Sequence, residues 1–162
     1  MTAFFTLLPV RARGAFTLIE VLIVTAILGI LASITVPNYR TKIGESREQG
    51  FIQQLRTNAN AVQIHYARRS HFPDEAAAGV VPTTLTPYLQ AGAWDSPTPI
   101  GGRWRHVRSL PGISSAIGVD FGTAAGPVDM LAGIDARFDD GDLATGRFQQ
   151  FTPSTFYLIL EF

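Results

Sequence analysis

The chain has 162 residues, with 13 Lys and Arg against 13 Asp and Glu, and it contains no cysteine. Balanced charge gives no bulk attraction to nucleic acid or acidic lipid, and the missing cysteines exclude disulfides, thiolate metal sites and cysteine nucleophiles. Most of the 15 Gly and 10 Pro lie beyond position 70, which predicts a loop-rich second half.

The first predicted element is an apolar helix near the amino terminus. From Phe16 onward, 21 consecutive residues contain one ionisable side chain, Glu20. A helix of that length spans about 30 Å, the thickness of a bilayer core, so we expect a transmembrane helix over 16–37. Arg11 and Arg13 precede it and favour a cytoplasmic amino terminus with the rest exported. A secretory signal is the alternative, but it would be shorter and would lack an internal Glu.

The residues around the start of this helix resemble a known processing motif. The stretch Arg13-Gly-Ala-Phe-Thr-Leu-Ile-Glu20 is similar to the prepilin cleavage and methylation motif of type IV pilins and type II secretion pseudopilins. In that family the mature protein begins with Phe-Thr-Leu-Ile-Glu. Cleavage after Ala15 would remove residues 1–15 as a leader and make Glu20 the fifth mature residue. The usual Gly before the cut is here Gly14, one step further back, so cleavage after Gly14 stays an alternative.

The resemblance implies processing and assembly. A prepilin peptidase and methyltransferase would cut the leader and methylate Phe16, and Glu20 would pair with the amino-terminal amine of a neighbouring subunit. Gly29 and Pro37 match family positions and would loosen and kink the helix. The implied partners are related pilin subunits in a helical polymer, an inner-membrane assembly platform with its ATPase motor, and lipid before assembly. The implied location is the inner membrane, then an extracellular pilus or a periplasmic pseudopilus.

The rest of the chain predicts an α+β fold of the type IV pilin kind, with a long amino-terminal helix packed on a small antiparallel sheet. Residues 38–70 form the amphipathic half of the helical spine, and 71–162 form loops and a sheet. The apolar stripe of the spine consists of Phe51, Leu55, Ala59, Val62 and Tyr66. The strand candidates are 103–108, 117–121, 130–138, 147–151 and 155–162.

Four acidic residues lie within eight positions of the predicted sheet region: Asp135, Asp139, Asp140 and Asp142. Major pseudopilins of type II secretion bind calcium in a carboxy-terminal loop, so the resemblance implies a calcium site here, the one cofactor that we expect. The spacing does not follow the EF-hand pattern, and Asp-Asp-Gly-Asp is also typical of a polar hairpin turn.

Arg103 and Arg105 alternate with an aromatic residue on a predicted strand and form a candidate nucleic-acid contact, or else the solvated face of that strand. The three histidines have no metal-ligand spacing, and no nucleophile or phosphate-binding motif is present, so we expect a structural protein and not an enzyme. The alternative function is a minor tip pilin that binds DNA or another ligand.

Overall fold

The computed structural model describes residues 16–162, except for the side chains at positions 35, 37, 38, 40, 41 and 109. Helix α1, Leu18–Arg69, has 52 residues and continues through two compact units, 1–42 and 43–162. The predicted leader, 1–15, lies outside the described residues. Within the part that is described, no helix has the apolar length that a membrane crossing needs.

The second unit contains a four-stranded antiparallel sheet. Its strands are β1 (Arg103–Leu110), β2 (Ile113–Asp120), β3 (Phe148–Thr152) and β4 (Thr155–Glu161), in the order β1-β2-β4-β3. A Pro-Gly turn joins β1 to β2, with Gly112 at φ 75°, and Pro153-Ser154 joins β3 to β4. The register pairs Trp104 with Val119 and Ile117 with Leu158. The predicted strand 117–121 is therefore the second half of a longer strand that begins directly after the turn.

The core lies between the sheet and the carboxy-terminal half of α1. Phe51, Leu55 and Val62 of the helix are fully buried among apolar side chains of the sheet. The Phe51 ring stacks on Trp104 with the ring centroids 5.2 Å apart and the planes 6° from parallel. The predicted stripe is confirmed except at its end, because Tyr66 is 43% exposed and stacks on Phe72 instead.

The predicted strand over 130–138 is wrong, since these residues belong to helix α2, Val128–Phe138. Leu131, Ile134 and Asp135 are its buried residues, and their spacing of three and four positions is helical. On the solvent side, Arg137 pairs with Glu48 of α1 at 3.1 Å. Helix α2 ends next to the acidic loop, 139–147, that leads into β3, and it thereby brings Asp135 to that loop.

Candidate functional site

Helix α1 begins with a reciprocal hydrogen-bonded pair, Thr17 and Glu20. The backbone N–H of Glu20 donates to Thr17 Oγ1 at 3.3 Å, and Glu20 Oε2 accepts from the backbone N–H and the hydroxyl of Thr17, both at 3.4 Å. This is a capping box, in which two N–H groups without partners in the helix are satisfied by side chains. The Ser/Thr-x-x-Glu signature was readable in the sequence, and its capping role was missed.

The part of α1 in the first unit carries exposed, mostly apolar side chains. Every side chain from 16 to 34 is exposed, including Leu18 at 84% and Ile30 at 64%. A Cβ added at Gly29 would meet no atom within 4 Å. A helix that is apolar on all sides needs lipid or other protein around it.

Of the predicted processing residues, Gly14 and Ala15 lie outside the described residues, and Phe16 is the first described position. Phe16 is exposed, one residue before Thr17 of the capping box. Pro37 lies inside α1, and its side chain is outside the description. The cleavage, methylation and kink predictions therefore stay predictions.

The acidic loop gathers three of the four predicted carboxylates. Asp135 is in the last turn of α2, and Asp139 and Asp140 follow directly after that helix. One oxygen from each of the three lies within 4.8 Å of the others. Asp142 is outside this group, and its Oδ1 accepts the N–H of Ala144 at 3.0 Å. The last turn of α2 brings Asp135 close to the other two carboxylates. The predicted strand over 130–138 did not indicate this proximity.

Hydrogen bonds hold the exposed carboxylates in place. Asp139 Oδ2 accepts the backbone N–H groups of Arg147 and Phe148, the latter at 3.0 Å. Asp140 accepts the N–H of Asp142 at 3.0 Å and the hydroxyl of Thr145 at 2.8 Å, and these two bonds lower its pKa. These four donors were not predicted from the sequence, because their positions depend on the path of the loop.

Gly146 makes the close approach of this loop to the carboxylates possible. It has φ +71°, and an added Cβ would collide with carboxylate oxygens of Asp139 and Asp140. Only a residue without a side chain fits both the backbone angle and the space.

Of the three carboxylates, Asp135 has the least favourable electrostatic environment. It is fully buried, and neither carboxylate oxygen has a hydrogen-bond partner of normal geometry. Burial, and then the charges of Asp140 and Asp139, raise its pKa from 3.8 to about 6. The group also lies at the carboxy-terminal end of α2, where the helix dipole is negative and disfavours anions. The ion pairs of the described residues include none to Asp135, Asp139 or Asp140.

The donor set fits calcium. Calcium takes carboxylate and carbonyl oxygens at about 2.4 Å, so two oxygens on one ion lie at most about 5 Å apart. The three carboxylate oxygens satisfy this limit at 4.8 Å. The buried, unpartnered oxygens of Asp135 would gain the most from a cation.

Of the two arginines predicted to contact nucleic acid, Arg105 forms ion pairs and Arg103 is exposed. Arg105 pairs with Asp120 at 3.0 Å and with Glu75 at 3.6 Å. Arg103 is exposed and donates to the backbone carbonyl of Asp95 at 3.2 Å. Since two carboxylates compensate Arg105, these arginines do not form a concentrated positive patch.

Comparison with known proteins addresses both the motif and the fold. The family profile described as "Prokaryotic N-terminal methylation motif" matches residues 10–36. The structure is similar to that of the major type IV pilin PilA1 from Clostridium difficile, with a TM-score of 0.50 and 13% identity over 74% of this chain and 98% of the pilin. The chain thus contains a prokaryotic amino-terminal methylation motif, and its fold is similar to that of a type IV pilin.

Two curated proteins are similar to this chain in sequence. Fimbrial protein EcpC of Eikenella corrodens is 36% identical over 82 residues, which are 50% of this chain and 54% of the relative. Type II secretion system core protein G of Aeromonas hydrophila is 33% identical over 63 residues, 39% of this chain and 44% of the relative. The chain thus spans about half the length of these curated relatives. The α+β, pilin-like fold predicted from the sequence is confirmed.

Proposed function

We propose that this chain is a structural subunit of a type IV pilus-like or type II secretion filament. The observation that carries the proposal is the position of Glu20 as the fifth residue from Phe16, inside the matched motif and at the start of an apolar segment, 16–34, whose side chains are all exposed. On this proposal the leader 1–15 is removed after Ala15, Phe16 is methylated, and the helix enters a filament core.

The role proposed for Glu20 is to pair with the amino-terminal amine of a neighbouring subunit. A carboxylate in an apolar environment is costly unless a positive charge compensates it. The capping hydrogen bonds from Thr17 satisfy Glu20 in part but do not neutralise its charge. A neighbour's amine would supply that missing charge and would set the relative position of adjacent subunits.

Two substitutions separate capping from charge pairing. Glu20→Gln keeps the geometry of a capping box, whereas Glu20→Ala removes it. We expect both variants to stay processed but to lose filament assembly, measured by the amount of sheared filament. Glu45→Gln, the same exchange further along α1, is the control. Normal assembly of Glu20→Gln would refute charge pairing.

Mass spectrometry of the mature amino terminus tests the processing steps. We expect a methylated Phe16. A chain that begins at Ala15 would show that the cut follows Gly14, and an intact Met1 would refute prepilin processing.

The proposed location before assembly is the inner membrane, with the amino terminus in the cytoplasm, and the proposed partners there are lipid, the peptidase, the assembly platform and its ATPase motor. The uninterrupted apolar sequence that follows Arg11 and Arg13 supports this location. Recovery of the unassembled chain in the membrane fraction, resistant to alkaline extraction, is the expected result. Release by alkali would contradict it.

A second proposal concerns calcium at Asp135, Asp139 and Asp140. Its support is the 4.8 Å grouping of the three carboxylates together with the buried, unpartnered oxygens of Asp135. Bound calcium would neutralise this charge and fix the loop between α2 and β3.

The alternative function, a minor tip pilin that binds DNA through Arg103 and Arg105, is the weaker proposal. The ion pairs of Arg105 leave little free positive charge on that strand. The alternative requires DNA binding that weakens with salt and is lost when both arginines become alanine.

A further inference from the structure

A polar cleft lies at the carboxy-terminal end of α1, beside the short 3-10 helix Thr86–Tyr88. Its volume is about 330 Å³, and its lining includes His65, Arg69, His71, Thr83, Thr84 and Tyr88. None of the lining residues is acidic. The cleft therefore presents hydrogen-bond donors and the positive charge of Arg69, without a carboxylate, at the negative end of the α1 dipole, which this positive charge offsets.

The hydrogen bonds of the two histidines fix their protons. Nδ1 of His65 lies 3.1 Å from the carbonyl oxygen of His71, and Nδ1 of His71 lies 3.1 Å from that of Phe72. Because a carbonyl only accepts, each Nδ1 carries a proton and each Nε2 is outside these bonds. The two ring centroids are 5.2 Å apart.

Two further groups are without partners in the described part of the chain. Arg69 is exposed and forms no ion pair there. Thr84 Oγ1 is buried and makes no hydrogen bond. The neighbouring guanidinium of Arg68 lies 5.7 Å from the centroid of the Tyr88 ring and adds positive charge at the border of the cleft.

We propose that this cleft binds a phosphate or sulfate group, free or carried on a larger molecule. A guanidinium offers a planar pair of donors that matches such an oxyanion, and a buried hydroxyl without a partner can supply another donor. The volume is at the lower end of the range for ligand pockets, enough for the oxyanion and a small attached body. The inference does not depend on the filament proposal.

A metal ion fits these residues less well. The cleft offers only two imidazole nitrogens, and among the described residues the sole group of three or more metal-ligating side chains is at Asp135, Asp139 and Asp140. A guanidinium at the same cleft repels a cation. The experiment therefore also measures zinc binding, as a comparison with the anions.

Calorimetric titration of the full chain in non-ionic detergent tests the proposal. The probes are inorganic phosphate, sulfate and glycerol 3-phosphate, each titrated without calcium, and zinc chloride is the comparison. We expect saturable binding of the anions at one site. Arg69→Gln should weaken it by about tenfold or more, the usual effect of losing a charged hydrogen bond.

The matched control is Arg47→Gln, the same exchange on an exposed residue of α1 about 33 Å away along the helix. It should bind as the wild type does. Thr84→Val is the second variant, and it should also weaken binding. Tighter binding of glycerol 3-phosphate than of inorganic phosphate would identify an attached phosphoryl group as the ligand, and equal binding would identify the free oxyanion.

Three results would overturn the proposal. They are the absence of saturable anion binding, equal affinity in Arg69→Gln and wild type, and binding of zinc without binding of any anion. Circular dichroism of each variant verifies that it is folded before its affinity is compared. Filament assembly is not part of the readout, so failure here would leave the filament proposal untouched.

Discussion

Replacing Asp135 by asparagine should stabilise the protein in the absence of calcium and remove the stabilisation that calcium gives the wild type. Asp135 has a pKa raised from 3.8 to about 6, chiefly by burial and then by the charges of Asp140 and Asp139. A group whose pKa is raised by folding contributes stability below its unfolded pKa and loses it as pH rises through the folded value. The carboxylate form therefore costs about 3 kcal/mol above pH 6, since one pKa unit is about 1.4 kcal/mol.

The stability difference between variant and wild type isolates this effect. At pH 4 the two proteins should be nearly equal, and at pH 7.5 with EDTA Asp135→Asn should be more stable by up to about 3 kcal/mol, or on the order of 10 °C in Tm. Calcium should raise the Tm of the wild type at pH 7.5 and leave that of Asp135→Asn almost unchanged. The measurement is thermal unfolding of the full chain in non-ionic detergent, followed by circular dichroism.

Asp142→Asn is the matched control, because Asp142 is in the same loop but outside the group of three carboxylates. It should not reproduce the gain in stability of Asp135→Asn at pH 7.5 in EDTA, and its response to calcium should be retained. The reasoning would be refuted if Asp135→Asn were less stable than the wild type at pH 7.5 in EDTA. An equal calcium response in wild type and Asp135→Asn would refute the calcium site itself.

Two further substitutions test the fold and its pH dependence. Gly118→Ala should destabilise the sheet by at least about 2 kcal/mol in urea unfolding, because the added Cβ would collide with the Phe156 carbonyl of β4. The control is Gly133→Ala on α2, where an added Cβ meets nothing within 4 Å, and this variant should be neutral or stabilising. Equal stability of the two variants would contradict the close strand contact. Burial, with the charges of Arg108 and His65, lowers the pKa of His106 from 6.5 to about 4, so the contribution of His106 to folding stability should fall by about 3 kcal/mol as pH drops from 7 to 4. His106→Gln should lose less stability over the same range, and an unchanged acid response would show that His106 is not its source.

The secondary structure elements that were predicted correctly are those with a long or continuous pattern of apolar residues in the sequence. The stripe of Phe51, Leu55 and Val62 repeats over several turns, and all three residues are buried as predicted. The strand over 155–162 was located within one residue of β4, since its apolar residues are continuous and a Pro-Ser turn precedes them.

The failures have local causes. Residues 130–138 carry apolar side chains at intervals that suit both a strand and a short helix, and burial of Leu131 and Ile134 together on one face decides for the helix. Because of this error, the proximity of Asp135 to Asp139 and Asp140 was not predicted. The cleft of His65 and His71 was not predictable, because it depends on the return of the loop after α1, and no periodic pattern describes that path.

The capping box at the start of α1 bears on how firmly a subunit would be held in the proposed filament. Glu20 already accepts hydrogen bonds from Thr17 in the single chain. Pairing with a neighbour's amine would thus replace the hydrogen bonds from Thr17 with a new ion pair. The net gain in free energy is smaller than the contribution of the new contact alone, because the old bonds are lost. In the proposed filament, each added chain could therefore also leave at a modest cost.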